Sequence, residues 1–426
     1  MATNKTIKML VVFLFFVNIT PCFSQIDESK AKRKSSDKAV RKTNPKTKNP
    51  LLIENKLAAA FVPLNPGNSV LSVITGEGTL YLVEIANDGR LAVRSSAEKG
   101  AIIYPAEIFD RSLRFIGNPS VTRGVYGLEI TAISTGHKLI KINNKEGWRT
   151  EFLGELAGQP DLKFKGNPTI TIYRRNIPLE VIISVISMTQ DDRLIEFKKS
   201  SFETKWVINY IAEIAGRGDE KFTKTISQTQ NGEKSQDVVA ITTEGKLLHL
   251  WNDETGNAWH GEFPAELAGI GSARFQDGAT IIKHNKWGGQ TIAAITKEYE
   301  LIILNYHSGS NWTFHEPIKK LGQSTFKFYS LPAIGTIDES SFGIRLAIIG
   351  IATDKIIQLY QDDRKNWIFD CPNCLAAQPT MEMASSPAVL FLNANYARKM
   401  ILCKTKDGRY PKIYDTSKWI IEYPFE

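Results

Sequence analysis

The sequence predicts an all-β fold: a seven-bladed β-propeller whose blades are four-stranded antiparallel sheets. Three observations predict it. Short β-prone runs alternate with connections of hairpin length along most of the chain. A tryptophan closes run after run, at Trp148, Trp206, Trp259, Trp312, Trp367 and Trp419, with spacings of 58, 53, 53, 55 and 52 residues. A further short run precedes every such group, giving four strands per unit and seven units of roughly 50 residues, the period of propeller blades.

The stretch Asp237–Gly269 is one complete unit less its first strand. Val238–Ile241 is the first run, and Thr243-Glu244-Gly245 is a turn in which glycine supplies φ > 0. Leu247–Trp251 is the second run. Asn252–Asn257 is polar, and Trp259 opens a third run that ends at Phe263. These runs are too short and too β-rich for helices. The first unit, Leu80–Ile103, lacks the closing tryptophan but keeps the pattern around Asp88-Gly89. The extra strands are SVLSVI, PSVTR, PTITIY, KTIS, ATIIKH, PAIGTI and PAVLFL. Trp419–Tyr423 is expected to be the outer strand of the last blade, and Leu51–Ile53 stands in the phase of a strand that could compete for that edge or lie over it.

The chain divides into three segments. Residues 1–24 are expected to be a secretory signal peptide: Lys5 and Lys8, then the apolar run Met9–Val17, then a polar region with Ser24 suited to cleavage before Gln25. The apolar run is too short to span a bilayer. The rival is a lipoprotein signal acylated at Cys22, opposed by Pro21 where a small residue is wanted. Residues 25–50 form a basic flexible linker with nine Lys or Arg against three acids and almost no large apolar side chain. Residues 51–426 form the propeller. The expected location is secreted, periplasmic or cell-surface.

Charge excludes one class of partner. Removing the eleven basic and three acidic residues of 1–50 from totals of 53 and 45 leaves 42 of each, so the ring is formally neutral. That argues against nucleic acid. No second long apolar run exists, so no membrane span is expected. Cysteine is sparse: Cys371 and Cys374 are expected to form a local disulfide after export, and Cys403 to be a small buried hydrophobe. A metal would need more soft ligands than Cys403 adds, so neither metal nor cofactor is expected.

No catalytic constellation is present: the sequence has no GxSxG, HExxH, phosphate loop or SxDxGxxW box. Five of the six histidines, His249, His260, His284, His307 and His315, fall in units four and five but are expected to be surface or satisfied side chains. The phased tryptophans are expected to pack between blades. Aromatics outside that phase are the better ligand candidates. One face of the penultimate strand carries Asn143, Lys198, Trp251, Asn305, Tyr360 and Tyr414, and two residues earlier Lys141, Glu196, His249, Ile303, Gln358 and Lys412. A ring beside a polar group suits a sugar. The candidate ligand-binding residues are His249, Trp251, Trp287, Tyr306 and Tyr360.

The unit resembles the repeat of seven-bladed bacterial propeller lectins of the fucose-binding type. Leu248-His249-Leu250-Trp251, Gly256-Asn257-Ala258-Trp259 and Leu267-Ala268-Gly269 carry the resemblance, with Ser386-Pro387-Ala388-Val389 similar to the first strand. Among the units only unit four keeps the His-x-Trp pair; units two and three have Asn143 and Lys198 there. The resemblance implies sugar pockets between adjacent blades, lined by such aromatics and limited to a few sites. The expected function is an exported, non-catalytic, lectin-like protein that binds glycan. The alternatives are a protein-interaction scaffold at the cell surface or in the periplasm, and a cryptic hydrolase or lyase acting on glycans.

Overall fold

The computed structural model describes residues 72–426 except 77–78, 100, 125–126, 177–178, 232–234, 253–257, 285–288, 308, 324–325, 341–342, 353–354, 363, 393–397 and 416–417. These residues belong to the compact unit Val62–Glu426. The segments assigned from sequence to a signal peptide and linker, and Leu51–Ile53, lie outside the described residues.

Seven four-stranded antiparallel sheets are present, each built from strands consecutive in sequence. Blade four consists of Phe222–Asn231, Ser235–Thr242, Leu247–Asn252 and Trp259–Glu262. Blade five consists of Phe275–Lys283, Gln290–Thr296, Leu301–Tyr306 and Thr313–His315. Blade six consists of Ala333–Ser340, Gly343–Ala352, Lys355–Gln361 and Trp367–Asp370. First strands of successive blades touch one another around the whole set, and the first strand of blade seven, Ala388–Leu392, touches that of blade one, Ser72–Gly76. The first strands therefore line the centre of a closed ring. Trp419–Glu422 is the outer strand of the last blade.

Strand periodicity explains the core. Alternate residues point to opposite faces, and here both faces are covered. Val238, Ala240, Leu248 and Leu250 pack with Ile186, Met188 and Leu194 of blade three. Val239, Ile241 and Leu247 pack with Ile281, Ile292 and Leu304 of blade five. Such strands read as continuous apolar runs rather than alternating ones. The phased tryptophans sit in these shared cores. Trp206, Trp259, Trp312 and Trp367 are 3–8% exposed, and each joins a cluster containing residues of the preceding blade.

A backbone link repeats from blade to blade. The turn after the second strand places one residue at positive φ: Gly89, His137, Asp192, Gly245 and Tyr299 in blades one to five. Its carbonyl accepts a hydrogen bond from the amide of a buried phenylalanine in the next blade, at 2.8, 2.9, 3.2, 2.7 and 3.0 Å for Phe115, Phe164, Phe222, Phe275 and Phe328. At Gly245 a side chain would be both left-handed and 3.2 Å from the Phe275 carbonyl oxygen.

Short helices were not expected and are present. Four-residue helices follow the outer strands of blades two to six, at Leu153–Leu156, Ile211–Ile214, Pro264–Leu267, Pro317–Lys320 and Pro372–Leu375. A single turn has no apolar period to read, although proline at the first helical position of three of them is a local signal. The last holds the Cys371–Cys374 disulfide, with Cα atoms 5.2 Å apart. Cys403 is a fully buried thiol, and burial pushes it up to about 12.

Where blade seven meets blade one, the contact is made by side chains. Leu80 and Leu82 pack with Leu402, Tyr410 and Phe425. Glu84, 2% exposed, accepts hydrogen bonds from the Tyr410 hydroxyl at 2.6 and 2.7 Å and lies 3.4 Å from both Lys404 Nζ and Arg94 Nε. Removing a buried carboxylate leaves its partners uncompensated, so Glu84→Ala is expected to cost about 3 kcal/mol. Thermal melting monitored by near-ultraviolet circular dichroism measures it, and an unchanged melting temperature would refute a structural role for this contact.

Candidate functional sites between blades

Cross-strand register builds the sites. In blade four, Asp237 pairs with Trp251, His249 with Glu262, and Trp251 with His260. Paired residues share a face, and this face looks toward blade five, as Val239 and Leu247 show. The corresponding positions of blade five are Thr291, Asn305, Ile303 and His315. Those of blade six are Ala347, Tyr360, Gln358 and Asp370. The two strand positions singled out from sequence thus lie in the seams between blades.

The seam between blades four and five is aromatic and closed around an ion cluster. His249, 2% exposed, has Nε2 at 2.9 Å from Asp237 Oδ1 and Nδ1 at 3.1 Å from Glu262 Oε1. Blade five adds Gln290, which donates to Asp237 at 2.9 Å, and Trp312, whose indole N–H donates to Glu262 at 2.8 Å. Burial alone would push the imidazole down, but its bonds to Asp237 and Glu262 prevail and raise it. Burial likewise acts to raise Glu262, and the bonds from His249 and Trp312 prevail to hold it low.

His249 was expected to offer a polar group beside Trp251. In the structure both of its nitrogens are engaged by carboxylates, so its ring supports Trp251 from behind. The half-buried Trp251 stacks on His249 at 5.0 Å between centroids and on the exposed His260 at 5.5 Å. Tyr306 joins the same seam through Trp312, at 5.5 Å. Three candidates therefore converge. Tyr360 lies apart, in the seam between blades six and seven, with Lys399 Nζ 5.1 Å from its ring centroid. Trp287 lies outside the described residues.

The seam between blades five and six holds a cavity of ≈ 390 Å³. Asn305 stands where blades four and six carry Trp251 and Tyr360, so no large ring occupies that position. Blade five contributes His284, Thr291, Asn305, His307 and His315 to the lining; blade six contributes Gln361, Lys365, Asn366 and Trp367. His284 Nε2 lies 2.8 Å from the Thr291 hydroxyl, which donates to Asn305 Oδ1 at 2.7 Å. That chain makes Nε2 the donor and leaves the buried Nδ1 without a partner. Burial, then His307, lowers His284 to about 4. Burial, then Lys320 and His307, lowers His315. Among the described residues no group of three or more His, Cys, Asp or Glu could hold a metal ion.

Sequence reasoning did not assign His284, His307, His315 or Trp367 to a ligand. Its available signal was the concentration of histidine in two adjacent units, but which histidines meet depends on register and on the neighbouring blade.

The His249 cluster predicts a pH dependence. A raised imidazole contributes stability below its ordinary pKa, and that stability is lost as pH rises through the raised value. Glu262, held low, contributes above the ordinary carboxylate range and loses its contribution as pH falls through the lowered value. His249→Gln should therefore flatten the alkaline fall in melting temperature expected of the wild type, and His249→Ala should cost about 3–5 kcal/mol by leaving the Asp237 charge buried and unpaired. Melting curves across neutral and alkaline pH decide it; parallel profiles would exclude a charged His249.

No protein-family model matches the chain, and no curated protein matches it by sequence. Solved structures do. The BP39L lectin from Burkholderia pseudomallei is 14% identical with a TM-score of 0.58, over 83% of this chain and 98% of that one. The fucose-specific lectin from Aleuria aurantia is 13% identical with a TM-score of 0.45, over 72% and 95%. The similarity to the Burkholderia lectin, at this identity, is one of fold: the chain has the β-propeller architecture found in that lectin.

Proposed function

We propose that this protein is an exported, non-catalytic, lectin-like module that binds glycan in the seams between propeller blades. The observation that carries the proposal is the cavity between blades five and six. It brings amide, hydroxyl and imidazole groups from two blades together beside the largely buried Trp367. An aromatic face takes the apolar C–H side of a sugar while polar groups take its hydroxyls. The half-buried Trp251 offers a second stacking surface one seam away. The Burkholderia protein of similar fold is a lectin, which supports this reading.

A protein-interaction scaffold is the second reading. It is favoured by the unlike chemistry of the seams, since a single asymmetric partner tolerates divergence that equal sugar sites would not require. A glycan array probed with the mature chain separates the two: absence of any glycan binding would transfer the proposal to the scaffold.

Two further measurements follow. Trp251→Ala should weaken glycan binding at its seam about tenfold, from roughly 1–2 kcal/mol of stacking, and leave melting nearly unchanged. Trp259→Ala should cost on the order of 3–5 kcal/mol of stability, because that ring is core. Equal losses of melting temperature would make Trp251 a core residue too. For export, N-terminal sequencing of the secreted chain should begin at Gln25; a start at acylated Cys22 would establish the lipoprotein alternative.

A further inference from the structure

Building on the glycan-binding reading, we infer that the cleft between blades five and six selects an anionic saccharide, one carrying a carboxylate, and binds it more tightly as pH falls. The first ground is the exchange of residue types at equivalent positions. Blade four places Asp237 and Glu262 on its face toward the next blade, where they neutralise His249. Blade five places Thr291 and His315 at those two positions. The outer-strand position is acidic in blades two, four, six and seven, as Glu151, Glu262, Asp370 and Glu422. Blades one, three and five lack that charge, with Ile103, Asn209 and His315 there, and blade five alone puts an imidazole in its place.

The second ground is the lining itself. Among the described residues around the cavity none is acidic, while His284, His307, His315, Lys320 and Lys365 all contribute. The charged neighbours that act on His284 and His315 are His307 and Lys320, both cationic when protonated. Lys320 Nζ lies 3.3 Å from His315 Nδ1. Among the described residues, the carboxylates of Asp362, Glu316 and Glu300 are engaged elsewhere. Asp362 accepts the backbone amides of Arg364 and Asn366 at 2.9 and 2.8 Å and the Asn366 side chain at 3.2 Å. Glu316 pairs with Lys319, and Glu300 with Lys319 and Lys327.

The third ground is the buried, unpartnered Nδ1 of His284, a residue 2% exposed in the cavity wall. With Nε2–H committed to Thr291, protonation can occur only at Nδ1. A cation there is unfavourable in the empty cleft, because the site is dehydrated and faces His307. A sugar carboxylate in the cleft supplies the missing counter-charge. One proton from solvent then binds the imidazole, and the carboxylate offsets its charge from the cavity. Free His284 titrates near 4, so at higher pH, up to the value it reaches in the complex, each unit of acidification should strengthen binding by up to about tenfold.

Isothermal titration calorimetry of the full mature chain tests this with N-acetylneuraminic acid and glucuronic acid against their methyl esters, at pH 5.5 and pH 7.5. The expected result is at least tenfold preference for the free acids at pH 5.5, a smaller preference at pH 7.5, and proton uptake revealed by buffers of different ionisation heat. His315→Glu should abolish the preference, and His284→Gln should abolish the proton uptake. Both variants must melt as the wild type does; if His284→Gln does not, His315→Glu and the wild-type proton uptake still decide. Equal binding of acids and esters would overturn the inference and leave the lectin reading standing. A preference that survives His315→Glu would place the anion elsewhere, on the basic 25–50 segment for instance, and would also overturn it. No binding of any saccharide here or on the glycan array would remove the lectin reading and the inference together.

Discussion

A four-stranded sheet with two apolar faces cannot bury either face by itself, and every other feature of this molecule depends on that. Stacking blade against blade is the solution, and curvature closes the stack into a ring. Phase repeats because the need repeats. Each closing tryptophan and each of the phenylalanines from Phe115 to Phe328 fills the same place against its neighbour. The left-handed turn carbonyl adds a fixed hydrogen bond at the same place. That geometry is demanding enough to hold His137, Asp192 and Tyr299 at positive φ where glycine would be unstrained.

Polar chemistry enters the seams under the same constraint. A polar side chain between two blades is cut off from water and must find partners there. Blade three satisfies Glu196 with Ser184, Asn209 and, from blade four, Gln236. Blade two sets Lys141 between Glu129 and Glu151. Blade four builds the His249 cluster and completes it with Gln290 and Trp312 of blade five. The networks of blades three and four reach into the next blade, so they fix which face meets which as well as holding the sheets together. The seam between blades five and six is different in kind. Smaller side chains leave a cavity there, and the unpartnered Nδ1 of His284 belongs to a residue of its wall.

The ring is a scaffold on which equivalent backbone positions carry unlike side chains. Trp251, Asn305 and Tyr360 occupy one position in three blades, and the result is a stacked surface, an open cleft and a tyrosine beside Lys399. Divergence at a fixed place costs the fold little, because the apolar residues around it carry the packing. It changes the chemistry of each seam completely.

The sequence by itself determined the blade count, the four strands of each blade and the packing role of the tryptophans. All three follow from period and residue type, which are local properties repeated seven times. It also identified the strand face that turns into the seams, because side-chain direction alternates with a period of two. The four-residue helices escaped it, being too short for a period, and so did the partners of each seam residue. His249 looked free beside Trp251 because Asp237 lies twelve residues away and Glu262 thirteen; antiparallel register brings both to its ring. His284, His307 and His315 looked unrelated because they lie on different strands and loops of one blade, and the wall opposite them comes from another. Tertiary structure alone decided that these meet, since a cleft between blades belongs to neither sequence unit.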